Sequence, residues 1–189
     1  VCIPIGNRIG GLVGYSSAST ILDSYFRGNV YGNEYTGGLV GYADNTMFFS
    51  CYTKDYVHGG KSIGGLIGCS KNNSTISNCY SSCTTIGEST GNEGYYEGQN
   101  IGGLIGYSLE STIEHCHSVG LVEGSSYVGG LIGSRSQSTV YYSFWDIETS
   151  GQTTSAGGIG RTTAEMKTQS TFTDVGWDFE EIWQMTPEI

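Results

Sequence analysis

The sequence predicts an all-β chain folded as a parallel β-solenoid (β-helix) of about five 27-residue coils, followed by a small C-terminal cap with one short helix. Three observations predict it. A glycine-rich phrase recurs five times, as IGGLVGY, TGGLVGY, IGGLIGC, IGGLIGY and VGGLIGS. The first glycines of its pairs, Gly10, Gly37, Gly64, Gly102 and Gly129, stand 27, 27, 38 and 27 residues apart, inside the window of roughly 20 to 50 residues that marks solenoids and propellers. Aligned on these glycines, the copies form columns of like residues, and a solenoid stacks its columns about 4.8 Å apart. A propeller is the alternative, but its blades take about 40 residues and four strands each.

Each repeat reads as three short β runs: GGL[VI]G, an STI run ending near a Cys-Tyr pair, and a run around Val30, Val57 or Val122. Gly, Ser, Asn and Asp separate them, as turn chemistry requires. Three runs per coil predict three long parallel sheets. One column is Leu12, Leu39, Leu66, Leu104 and Leu131; a second is Val13, Val40, Ile67, Ile105 and Ile132; a third is Ile21, Phe48, Ile76, Ile113 and Val140. Neighbours in a regular strand point to opposite faces, so the Val13 column is expected on the outside as an assembly stripe. The C-terminal segment, another copy of the chain or a larger parent chain would cover it. A bulge at the glycine pair, turning both columns inward, is the alternative. The glycines read as backbone formers; a phosphate loop would lead into a helix, whereas GGL[VI]G leads into Ser/Asn-rich turn.

Composition excludes several classes of function. Against 18 acidic residues stand 8 basic ones, a net charge of −10 with no Lys/Arg cluster, which is the opposite of a nucleic-acid footprint. No stretch approaches the roughly 18 apolar residues of a membrane span, so no membrane insertion is expected. The chain opens at Val1 with no basic-then-apolar leader and reads as a mature or trimmed chain.

Candidate sites follow from the columns. Cys51, Cys79 and Cys116 share one, with Ser24 and Ser143 at its ends, and read as a ladder of free thiols or as one disulfide among three. The next column, Tyr25, Tyr52, Tyr80, His117 and Phe144, reads as a ladder of rings or as a sugar-stacking stripe. His115-Cys116-His117 has metal-binding residue types, but alternation puts Cys116 on the opposite face, so no metal is expected. Thr20, Thr75, Thr112 and Thr139 form a partial threonine column without the paired spacing of ice-binding solenoids. The long fourth step falls mostly in Thr84 to Gly98, where Glu88, Glu93, Tyr95, Tyr96 and Glu97 make a candidate contact loop for surface glycans. Asn72 and Asn73 both satisfy the N-glycosylation pattern. No catalytic constellation and no cofactor motif occurs; Asp23, Asp55, Glu114 and Asp146 do not share the column that polysaccharide cleavage would need.

From Phe144 the repeat breaks, dividing the chain into a solenoid over residues 1–145 and a capping or covering segment over 146–189. Thr162 and Glu165 form a capping box, predicting a helix from Thr163 to about Thr168. Trp145, Phe172, Trp177, Phe179, Ile182 and Trp183 supply apolar bulk to cover an open end.

The GGL[VI]G phrase with the following STI and Cys-Tyr closely resembles the GLUG repeat of bacterial surface and secreted proteins, also found in the non-catalytic part of immunoglobulin A proteases. Five copies, from about Ile3 to Trp145, carry the resemblance; Cys69, Ser134 and the long fourth step are departures. The ending resembles the segment that follows such repeats in large prokaryotic cell-surface proteins. The resemblance implies an extracellular or cell-surface, non-enzymatic role, as an adhesin module or filament subunit that associates with copies of itself or a parent chain. A carbohydrate-binding module is the alternative, and proteolysis is not implied because the zinc motif is absent.

Overall fold

In a computed structural model, which describes residues 7–88 and 98–185, the chain winds as a parallel β-solenoid of five stacked coils. Every pairing between coils is parallel and follows the glycine alignment, as in Val13↔Val40, Val40↔Ile67, Ile67↔Ile105 and Ile105↔Ile132. The coils carry four strands instead of the expected three, except that in the fourth the last strand is interrupted into His117–Ser118 and Val122–Glu123. In the third coil they are Lys61–Gly64, Ile67–Lys71, Thr75–Ser77 and Tyr80–Gly87. The difference lies at the glycines. The GGL[VI]G run is split by a corner into the end of one strand and the start of the next, while the Tyr80 run and the short valine-type run fuse into one long strand.

That corner explains the repeated phrase. A Cβ at Gly37, Gly64, Gly102 or Gly129 would overlap the carbonyl oxygen three residues on and the backbone of the adjacent coil, so only hydrogen fits there. The following leucine closes the corner pointing inward, and the next residue opens the new strand pointing inward again. Leu39, Leu66, Leu104 and Leu131 are therefore fully buried, and so are Val40, Ile67, Ile105 and Ile132. The aliphatic stripe expected outside lies in the core. Period-2 alternation holds along one strand and fails across the bend between two, so the inward-turning alternative is the one realised.

The other corners are made differently. Among the described residues eleven non-glycine residues adopt left-handed backbone there with φ between 45° and 62°, including Asn45, Glu110 and Gln137 after the second strand and Ser50, Asn78 and His115 after the third. A hydroxyl or thiol follows each of these two corners and donates back to a carbonyl that the bend leaves open. Thr46 Oγ1 reaches the Asp44 oxygen at 3.1 Å, and Cys79 Sγ the Ser77 oxygen at 3.1 Å.

The core has two lobes. One is centred on the leucine, valine/isoleucine, Phe48/Ile76/Ile113 and cysteine columns. The other, smaller, holds Val30, Val57, Ile63, Cys83, Ile101 and Val122. Between them runs the register column Phe26, Thr53, Ser81, Ser118 and Trp145. Thr53 and Ser118 donate to the Gly65 and Gly130 carbonyls at 2.8 and 2.7 Å. Phe26 and Trp145 place rings there in the first and fifth coils.

After Trp145 the chain adds part of a sixth turn. Gly130 N donates to Thr154 O and Ala156 N to Ile132 O at 3.1 and 2.9 Å, while Ser155 Oγ accepts the Leu131 and Ile132 amides. Ile159–Arg161 then pairs with Phe144–Asp146. Among the described residues three four-residue helices occur, not one: α1 Ile147–Ser150, α2 Thr163–Met166 and α3 Ser170–Thr173. Asp146 caps α1, and the Thr162–Glu165 capping box starts α2 where the sequence predicts it, although that helix ends at Met166.

Candidate interaction surfaces

The thiol column stands as stacked free cysteines. Cys51 N donates to Cys79 Sγ at 3.4 Å, and Cys116 N donates to Ser143 Oγ at 3.1 Å, so the column also ties coil to coil. The hydrogen bond with Cys79, then burial, pushes the Cys51 thiol far above its ordinary range; burial does the same to Cys79 and raises Cys69 to about 12. These groups stay protonated at neutral pH and are poor nucleophiles. A parallel hydroxyl ladder fills the second corner, where Ser70 Oγ reaches Ser108 and Ser111, and Ser108 Oγ reaches Ser138.

The aromatic column runs up the outside of the fourth sheet. Tyr25 on Tyr52, Tyr52 on Tyr80 and Tyr80 on His117 each sit at 5.0 Å between ring centroids, with planes within 6° of parallel. Each interior ring thus has both faces covered by its neighbours, which leaves edges and hydroxyls and no open face for a sugar to stack on. A second outer stripe is held by cations that sequence inspection missed. Arg8 lies over Tyr15 and Tyr42 at 4.8 and 4.7 Å, and Lys71 over Tyr42 and Tyr107 at 5.6 and 5.8 Å.

The C-terminal segment docks on the upper part of the aromatic column and on the last coil. Phe144, Met166, Phe172 and Trp177 form a third buried cluster, with Val119, Phe179 and Trp183 against it. Trp177 and Trp183 stand 5.7 and 5.3 Å from the His117 ring, and their indoles donate to Tyr142 O and Asn78 Oδ1. Burial holds His117 down at about 4, and its Nδ1 has no hydrogen-bond partner. Beside Trp183 a cleft of about 470 Å³ opens among Ser50, Tyr52, Asn78, Tyr80 and His117. The column and the tryptophans are legible in the sequence; that one docks on the other is not.

Of the candidate contact loop only Glu88 is described, and its carboxylate meets His58 Nε2 at 3.3 Å; Glu93, Tyr95, Tyr96 and Glu97 lie outside the described residues. Asn72 and Asn73 are exposed at a left-handed corner, and Asn72 Nδ2 donates to Asp44 Oδ1 at 2.8 Å. Asp146 is buried as a helix cap. Among the described residues no group of three or more His, Cys, Asp or Glu is placed to hold a metal ion, and no helix is long and apolar enough to cross a membrane.

The two ends of the stack differ. At the N-terminal end Leu12 is 52% exposed, whereas its column partners in the other four coils are fully buried. At the C-terminal end the sixth-turn residues and Trp145 cover the last coil.

The GLUG motif family model matches residues 5–31, a stretch that includes the first glycine corner and ends with the first long strand. A protein of Evansella cellulosilytica, provisionally named a Gly-rich membrane protein, is 45% identical over 92 residues, 46% of this chain. The match spans 11% of that relative's length. No solved structure matches the chain. The matched coil pairs in register with the next, and the glycine corners of all five coils superpose along one column, so the stretch similar to the GLUG motif is one coil of a β-solenoid.

Proposed function

We propose that the chain is a non-catalytic, extracellular structural module of a bacterial surface protein, serving as an adhesin-like stalk. The observation that carries this reading is the stack itself: five coils whose side chains are spent on coil-to-coil contact, with the thiols buried and the rings covered. The GLUG match and the membrane-protein name of the partial relative support a surface location. Between stalk and filament subunit, the covered C-terminal end favours the stalk, because head-to-tail growth needs both ends open. Antibodies against the purified chain are expected to label intact and permeabilised cells of its source equally. Labelling that appears only after permeabilisation overturns the surface reading.

A further inference from the structure

One flank of the stack, at the corner after the second strand, takes part in neither the core nor the ring column. Coils two to five turn there through an exposed left-handed residue, Asn45, Asn73, Glu110 and Gln137. Two residues on, beside the inward Phe48, Ile76, Ile113 and Val140, stand the outward residues Met47, Thr75, Thr112 and Thr139, paired coil to coil. The residue between is buried and spent on the fold: Ser74 Oγ donates to Lys71 O and Ser111 Oγ to Leu109 O, at 2.7 and 2.9 Å. A groove results that runs along the axis. One cleft of about 390 Å³ reaches from Asn73 to Thr139 and another of about 290 Å³ from Thr20 to Thr75, and Asn73 and Thr75 line both. Among the described residues the amides of Asn45, Asn73 and Gln137 and the hydroxyls of Thr75, Thr112 and Thr139 have no hydrogen-bond partner within the protein. We propose that this groove binds a linear, neutral glycan laid along the stack.

The lining chooses the ligand. Among the described residues no Lys or Arg lines the groove, Glu110 is its one charged group and the chain carries −10 overall, so a polyanion is repelled. No aromatic ring lines it either, which leaves a planar ligand nothing to stack on. A peptide adding itself as a strand needs an open sheet edge, whereas Met47–Phe49, Thr75–Ser77 and Thr112–Glu114 cross the groove paired on both flanks. Amides and hydroxyls remain, and these both donate and accept, as sugar hydroxyls do. Spacing supplies the elongated shape. Successive coils present the same kind of group about 4.8 Å apart, and a linear glycan advances by a similar step per pyranose unit, so each unit meets what the last one met. The corners are already fixed, since Asn73 N donates to Glu110 O at 2.7 Å and Glu110 N to Ser136 O at 3.0 Å, which keeps the ordering cost of binding low.

This inference goes beyond the stalk reading, and the purified chain tests it whatever its place in the cell. Cello-, chito- and manno-oligosaccharides of increasing length, titrated into the whole chain and followed by NMR amide shifts, should perturb Asn73, Thr75, Thr112, Gln137 and Thr139 first. Affinity should rise with each added sugar and level off at about five, one unit per coil. Thr75→Val combined with Thr112→Val, which keeps the branched shape, should weaken the longest binder about tenfold with the melting temperature unchanged. Thr139→Val, at an exposed position, should weaken it by a smaller factor. Thr84→Val, on the outer face of the fourth sheet, should change nothing. Binding by none of the three series, shifts that map to the ring column instead, a disaccharide held as tightly as a pentasaccharide, or threonine variants that bind as well as the parent would overturn the proposal.

Discussion

The two ends of the stack are made from one repeat and yet meet solvent differently. At the C-terminal end Trp145 enters the core at 6% exposure, and Ser155 accepts the amides of Leu131 and Ile132. At the N-terminal end Phe26 occupies the same column but is only partly buried, and Leu12 stands open. In a quasi-one-dimensional protein each coil is stabilised by its own packing and by its neighbours, so a coil with one neighbour loses about half of its interface stabilisation. The difference teaches that the height in the stack, not the column or the residue type, decides what a leucine is worth here.

The largest test substitutes one column at two heights. Leu66→Ala, in the middle of the stack, should cost about 2–5 kcal/mol by urea unfolding, because the wall of glycine corners around it cannot collapse into the cavity. Leu12→Ala should cost about 1 kcal/mol or less, in keeping with its exposure. Equal losses at both heights would break the comparison.

The second test concerns what covers the upper aromatic column. His117 is held neutral, with a folded pKa of about 4 against an ordinary 6.5. In the unfolded chain it takes up a proton as pH falls through 6.5, while in the fold it resists until about 4. Stability is therefore fully present above pH 6.5 and falls between 6.5 and 4, by about 3 kcal/mol from this group. The fluorescence of Trp177 and Trp183 should report the loosening. His117→Phe, which continues the ring column into Phe144, should flatten that slope and leave stability above pH 7 unchanged or higher. A slope that survives the substitution would assign it to carboxylates.

Much of the solenoid was legible in the sequence because stacking makes like residues meet. Leu12 to Leu131 and Ile21 to Val140 are paired in space as they align in the text. The inward turn of Val40 and Ile67 was legible only as one of two alternatives, because alternation describes a strand and the glycine pair ends one. The left-handed corners were not legible, since Ser50, His115 and Tyr142 carry no compositional mark of positive φ. The docking of Trp177 and Trp183 on His117 joins segments about 60 residues apart, which no local pattern encodes.

The smallest test sits farthest from the stack. Thr162→Ala removes the cap that accepts Glu165 N and should cost about 1 kcal/mol. If the C-terminal segment closes its end as a unit, this loss should also speed amide exchange at Trp177 and Trp183, leaving Leu12 and Val13 untouched.

The glycine corner has one more consequence. Because each coil touches only copies of itself through a backbone contact that admits no side chain, a duplicated 27-residue unit would bring no new kind of contact with it. Inserting such a unit in mid-stack would lengthen the rod by about 4.8 Å. The gene would then set the reach of the protein as a ruler does, by counting, with each added mark identical to the last.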